Sequence, residues 1–147
     1  GDLKYGRTVH SLSRLLTLFD IKLNYVAPEI LAMPKEIMDE IERDDTEQHV
    51  YTSLDPVIAV SDVIYVTRVQ KERFEDLDVY ESVRNAFLID PELMKSAKKD
   101  MIVMHPLPRV GEISMEFDSD PRAAYFRQME YGLYVRMALL ALVLGKA

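Results

Sequence analysis

A chain of 147 residues, 48% of them hydrophobic and 29% charged, carries enough apolar side chain for one buried core. Its formal net charge of −7 argues against a general nucleic-acid or anionic-membrane surface, so an anionic ligand must be captured by locally placed Arg and Lys. The lack of cysteine excludes disulfides, thiolate metal sites and cysteine nucleophiles, and fits a reducing, cytoplasmic setting.

Helical and extended patterns alternate along the chain, which predicts a three-layer α/β domain with a mostly parallel sheet flanked by helices. Gly6 to Phe19 reads as a helix with Val9, Leu12, Leu15, Leu16 and Phe19 on one face. Ile21 to Val26 is a short strand, and Pro34 to Arg43 a helix with proline at a favoured first-turn position. Gln48 to Thr52 can pair as a strand, and a short helix from Asp55 to Ala59 precedes the strand Val63 to Thr67. Lys71 to Asp78 is polar and reads as a mobile loop, followed by a helix from Val79 to Asn85 and an extended Phe87-Leu88-Ile89. Asp90-Pro91-Glu92 reads as the cap and first turn of a helix to Ala97. Met101 to Met104 is a buried strand, and Asp120-Pro121 opens a long helix, kinked at Gly132, that reaches Leu144.

The polar start, Gly1 to Arg7, has no signal-peptide pattern. The longest uncharged apolar run, Met137 to Leu144, is far shorter than the roughly 20 residues that span a bilayer. Two features are expected of a piece of a larger fold. The glycine-containing turn at Gly1-Asp2 calls for a strand before it, and the segment Leu133 to Leu144 is apolar on nearly every side. We therefore divide the chain into a domain over residues 1–131 and a terminal helix, 132–147, that packs on another domain.

Three clusters sit at the ends of predicted strands or in the turns after them: Lys4 to Thr8, Thr67 to Arg73, and His105 to Arg109. In a parallel sheet these converge on the carboxyl edge, where open α/β folds bind ligands. They bring Lys4, Arg7, Arg68, Lys71, Arg73 and Arg109 together with Thr8 and Gln70, a density of cations that suits a small polyanion. The competing reading pairs several of them with Glu72, Glu75, Asp76 or Asp78 to hold loops, above all Lys71, Arg73 and Arg109. In Pro106-Leu107-Pro108 the prolines lack donors and fix φ, so the carbonyls of Pro106 and Leu107 can be left without intrachain partners. Such carbonyls can accept from an amine or amide; the competing reading is an ordinary tight loop. His10 reads as structural, His49 as a surface residue and His105 as a residue that orients backbone, and no metal-ligand spacing links them. Gly1 and Gly6 make no dinucleotide fingerprint, and the eight methionines read as core filler.

Gly1 to Leu12, Tyr65 to Phe74 and His105-Pro106-Leu107-Pro108-Arg109 closely resemble aspartate carbamoyltransferase, and Asp118 to Gln128 resembles the version in eukaryotic pyrimidine multienzymes. The resemblance covers essentially the whole chain and implies a Rossmann-like, L-aspartate-binding half of a cytoplasmic catalytic subunit that works as a homotrimer without cofactor or metal. The reaction it implies joins carbamoyl phosphate to L-aspartate, giving N-carbamoyl-L-aspartate and phosphate in pyrimidine synthesis. Arg7 and Arg68 would grip the two carboxylates, with Gln70 assisting and Thr8 nearby. The carbonyls of Pro106 and Leu107 would hold the carbamoyl amide. Lys71 to Tyr80 would be the loop that moves on domain closure, with Arg73 and Arg109 beside it and Lys4 and Tyr5 securing it. The family's Ser-Thr-Arg-Thr phosphate loop has no counterpart here, so an N-terminal carbamoyl-phosphate-binding domain is the implied partner and this chain alone is expected to be inactive.

Ornithine carbamoyltransferase, a neighbouring family, has a cysteine in the turn and a Ser-Met-Gly loop where this chain has Pro106 and Arg68-Val69-Gln70. Aspartate is therefore the expected substrate. Val79 precedes Tyr80 where bacterial forms carry an acidic residue, which sets their style of allostery apart from this chain. The alternative function is a structural or regulatory module that kept the shape and lost catalysis. Joint retention of Arg7, Arg68 and Gln70 argues against it.

Overall fold

The computed structural model describes residues 1–42, 45–84 and 86–146, so the expected ends of two helices at Arg43 and Asn85 lie outside the described residues. Every described strand pair is parallel. Strand β1 (Lys22–Val26) pairs with β2 (Glu47–Tyr51), Lys22 opposite Glu47, and helix α2 (Lys35–Glu42) makes the crossover. Strand β3 (Val63–Tyr65) pairs with β4 (Ile102–Met104), and single bridges join Ile89 to Ile113 and Val103 to Ala123. Helices α1 (Arg7–Leu16), α3 (Asp55–Ile58), α4 (Leu77–Val83) and α5 (Tyr125–Val143) complete an α/β, Rossmann-like arrangement.

The sheet is in two halves. The order is β1-β2 in one and β3-β4 in the other, and a cleft of about 950 Å³ runs between them. Its walls include Leu23 and Tyr25 of β1, Ile64 of β3, Leu54 and Val57. Gly1 closes one end, its amine donating to the Val26 carbonyl at 2.9 Å. A Cβ here would lie 2.2 Å from the Thr67 carbonyl oxygen, so only glycine passes between the ends of β1 and β3.

Two apolar clusters flank the cleft. Met94, Met101, Val103, Phe117 and Tyr125 pack with Ile89 and Ile113 around β3 and β4, while Leu3, Val9, Tyr25, Leu31 and Met33 pack around β1. Methionine thus fills core at Met33, Met94 and Met101, whereas Met115, Met129 and Met137 are exposed.

Several boundaries differ from the sequence reading, each for a tertiary reason. Helix α1 stops at Leu16, where Leu18 and Phe19 turn back by i→i+3 bonds, leaving Leu15 and Phe19 exposed. The helix expected after Asp90 is only a 3₁₀ turn, Leu93–Lys95, whose Leu93 N–H is taken by the Asp90 carboxylate at 2.8 Å. Arg122 explains its shortness: the guanidinium binds the carbonyls of Met94 (2.8 Å) and Lys98 (3.4 Å). The last helix begins at Tyr125 rather than Asp120, because Arg122 to Ala124 pair with β4: Val103 donates to Arg122, and Ala124 donates to Val103. It then runs unbroken through Gly132. Within the expected loop, Lys71–Arg73 form a 3₁₀ turn, and α4 starts at Leu77, capped by the Asp76 carboxylate.

Candidate functional site

The three cationic clusters meet at the carboxyl ends of β3 and β4. Buried Asp2 is the first joint: its carboxylate accepts from the Tyr5 N–H at 2.9 Å and its carbonyl accepts from the Thr67 hydroxyl at 3.2 Å. Burial pushes the Asp2 carboxyl above its ordinary range, opposed by the Tyr5 N–H. Tyr65 is the second joint. Burial raises its phenol, opposed by the polar side chains of Thr8 of α1 and Gln128 of α5 beside it. Gln128 in turn accepts from the His105 N–H at 3.0 Å. Gln128 thus ties α5 to the proline turn, with the Tyr65 phenol of β3 and the Thr8 side chain of α1 close by.

Around this frame Arg7 is exposed in the first turn of α1 and makes no ion pair among the described residues. Arg68 is half-buried and paired with Glu72 at 2.7 Å. Glu72 is held below the usual carboxylate range first by its own N–H, then by Arg68 and Arg73. The Gln70 amide oxygen accepts from Arg73 at 3.4 Å, and the Lys4 ammonium lies 5.2 Å from the Tyr5 ring centroid. Arg109 grips Asp118 with both terminal nitrogens and donates to the Tyr125 hydroxyl at 3.2 Å. The pairing expected for Lys71, Arg73 and Arg109 with Glu72, Glu75, Asp76 or Asp78 is found for none of the three among the described residues; Arg109 pairs with Asp118 instead. Lys71 and Arg73 make no ion pair among the described residues, while Arg68 does, because the 3₁₀ turn returns Glu72 to it.

In the proline turn neither the Pro106 nor the Leu107 carbonyl accepts a hydrogen bond among the described residues. The Leu107–Pro108 peptide is cis, and Leu107 has φ +55°, a left-handed conformation that costs a residue with a Cβ roughly 1–2 kcal/mol. His105 holds it: buried Nδ1 accepts from the Leu107 N–H at 2.8 Å, while Nε2 lies 2.7 Å from Glu112. His10 is structural, its Nε2 2.7 Å from the Leu3 carbonyl, and half-exposed His49 pairs with Glu47. Among the described residues no group of three His, Asp or Glu could hold a metal ion, and no helix is long and apolar enough to cross a membrane. Sequence reasoning missed Asp2, Tyr65, Glu112 and Gln128. Asp2, Tyr65 and Gln128 lie within the stretches that carried the resemblance and Glu112 follows one of them, yet none carries a periodic signal that marks its role.

The match to known proteins is decisive here. Residues 1–143 fit the family described as aspartate/ornithine carbamoyltransferase, Asp/Orn binding domain. This chain belongs to that family. It is 59% identical over 145 residues to the multifunctional protein pyr1-3 of Dictyostelium discoideum, covering 99% of this chain and 6% of that one. It is 49% identical to the aspartate carbamoyltransferase catalytic subunit of Thermococcus gammatolerans, again over 99% of this chain but 47% of the relative. The solved catalytic subunit of aspartate transcarbamoylase from M. jannaschii superposes with a TM-score of 0.92 at 43% identity, over all of this chain and 49% of that one. The Trypanosoma cruzi enzyme in complex with aspartate and phosphate gives 0.84 at 48% identity, over 95% and 44%. The chain thus spans about half the length of the carbamoyltransferase catalytic subunits it matches. Within the family, an α/β Asp/Orn-binding domain is what these residues build.

Proposed function

We propose that this domain is the L-aspartate-binding half of an aspartate carbamoyltransferase. The observation that carries the reading is the convergence of three cationic clusters at the carboxyl ends of parallel strands, joined by the Thr67 hydroxyl donating to the Asp2 carbonyl and the His105 N–H donating to Gln128. Arg7 and Arg68 take the two aspartate carboxylates, assisted by Gln70 and Thr8, and the Pro106 and Leu107 carbonyls hold the carbamoyl amide. The aspartate amine then attacks the carbamoyl carbon. A C–N bond forms, the bond from that carbon to the phosphate oxygen breaks, and phosphate leaves as the nitrogen gives up a proton. Such a step needs alignment and stabilisation of developing oxyanion charge more than acid–base groups in this half. The Arg68–Glu72 pair supports the assignment of Arg68, since it holds the guanidinium while leaving donors over. Lys4, Tyr5, Lys71, Arg73 and Arg109 serve the closure of loop and domains.

The partner is a carbamoyl-phosphate-binding half, and the working enzyme is a cytoplasmic homotrimer without cofactor or metal. Two surfaces support a partner domain. The cleft between the unpaired edges of β1 and β3 fits an extended apolar segment, and α5 exposes Leu133, Val135, Met137, Leu139, Leu140 and Leu142. The test combines this chain with a carbamoyl-phosphate-binding half and measures carbamoyl transfer. Transfer to L-aspartate but not L-ornithine, absent from this chain alone and reduced at least 10²-fold by Arg68→Ala, is the expected result. A folded complex that transfers to neither amine would refute the reading in favour of a non-catalytic module.

A further inference from the structure

Glu112 has no role in the reading above, yet its carboxylate is buried and heavily engaged beside the proline turn. It is 9% exposed, and its two oxygens take three donors: His105 Nε2 on Oε1 at 2.7 Å, and the N–H groups of Val110 (3.2 Å) and Gly111 (3.0 Å) on Oε2. It therefore clasps both ends of the loop from His105 to Gly111. The chemistry of the imidazole supplies the rest. The Leu107 N–H points at Nδ1 from 2.8 Å, so Nδ1 must be the bare acceptor nitrogen and the ring proton must sit on Nε2. Only an acceptor facing Nε2 favours that tautomer, and Glu112 is that acceptor. A ring with its proton on Nδ1 would set two donors against each other, and Leu107 would lose the bond that holds its left-handed backbone.

We propose that Glu112 is a positioning residue for carbamoyl transfer. It fixes His105 as the Nε2–H tautomer, so that Nδ1 holds Leu107 and aims the carbonyls of Pro106 and Leu107 into the site. This rests on the role given to those carbonyls above. Glu112 itself touches no substrate. Its removal misaligns the reacting groups while Arg7 and Arg68 still capture aspartate, so kcat falls and KM for aspartate stays nearly constant.

Two readouts separate this role from a merely structural one. In ¹⁵N-labelled chain, the His105 ring nitrogens report the tautomer directly, and only three histidines need assigning. Glu112→Gln should turn the Nε2–H pattern of the unaltered protein into a mixture. In the enzyme assembled with a carbamoyl-phosphate-binding half, Glu112→Gln should lower kcat on the order of 10²-fold with KM for aspartate within about twofold. Adding His105→Asn should recover at least about tenfold of that loss, because the asparagine oxygen can accept from the Leu107 N–H without any tautomer to be chosen. If Glu112→Gln does not fold, His105→Asn against His105→Ala decides: the asparagine enzyme should turn over at least about tenfold faster. An unchanged Nε2–H pattern in Glu112→Gln, or asparagine no better than alanine, would overturn the proposal. Absence of carbamoyl transfer in the unaltered assembly would refute the functional reading alone, and the tautomer comparison would still decide the role of Glu112.

Discussion

Replacing Tyr125 by Phe removes one oxygen from a fully buried side chain at the start of α5. That oxygen donates to Asp118, accepts from Arg109 at 3.2 Å, and belongs to a ring whose centroid lies 5.4 Å from the Arg109 guanidinium. Burial, then the facing Asp118 carboxylate, pushes the phenol from 10.0 up to about 12. A displacement of about two units corresponds to about 3 kcal/mol of preference for the neutral phenol in the folded protein. The folded value lies above the unfolded one, so this stabilisation is fully present below pH 10 and is lost as pH rises from about 10 to about 12. At neutral pH, Tyr125→Phe forfeits a hydrogen bond to an ionised carboxylate, a cost of about 2 kcal/mol, which lowers Tm by about 6 °C in a chain of this size. Urea unfolding of both proteins at several pH values from 7 to 11.5 tests this. Tyr125→Phe should be less stable at pH 7, and the gap should close above pH 10. The other burial-raised phenols, Tyr25 and Tyr65, are common to both proteins and cancel in the difference. A gap that is constant from pH 7 to 11.5 would refute the reasoning.

The Glu112 carboxyl makes the opposite prediction in acid. Burial alone would raise it, but hydrogen bonds from His105 and the Gly111 and Val110 N–H groups hold it down to about 2, from an ordinary 4.5. Its contribution, about 3 kcal/mol, is present above pH 4.5 and lost as pH falls toward 2, so the stability difference between the native protein and Glu112→Gln should shrink over that window in acid titrations followed by circular dichroism. Gly6→Ala would place a Cβ 2.5 Å from the Asp2 carbonyl oxygen, forcing backbone apart beside Arg7; a loss of about 1–3 kcal/mol in urea unfolding is expected. Phe117→Ala empties the centre of the β3–β4 core, where the ring is fully buried, and should cost about 3–5 kcal/mol by the same assay.

Periodicity and punctuation made much of this domain legible. Val63-Ile64-Tyr65 and Ile102-Val103-Met104 lie where apolar, β-prone runs placed them, and the charged turns after them mark the ligand edge of the sheet. Helix ends were less legible, because they depend on what meets them. Arg122 takes the carbonyls that a helix after Asp90 needed, and hydrogen bonds with Val103 of β4 keep Arg122 to Ala124 out of the helix although Asp120-Pro121 is a favourable helix start. Charge pairing was hardest to foresee. Lys71 and Arg73 lie among four acids in sequence yet pair with none of them among the described residues, Arg109 finds Asp118 across a loop, and Arg68 is the cation that Glu72 meets.

What the amino-acid order determined by itself was the set of elements, the parallel α/β class and the cationic edge, since these follow from side-chain spacing over a few residues. Tertiary structure alone decided the link from Gln128 to the His105 N–H, the burial of Asp2 and the tautomer that Glu112 imposes on His105. Hydrogen bonds act over about 3 Å, and only the folded chain brings residues as distant as Asp2 and Thr67 within that reach.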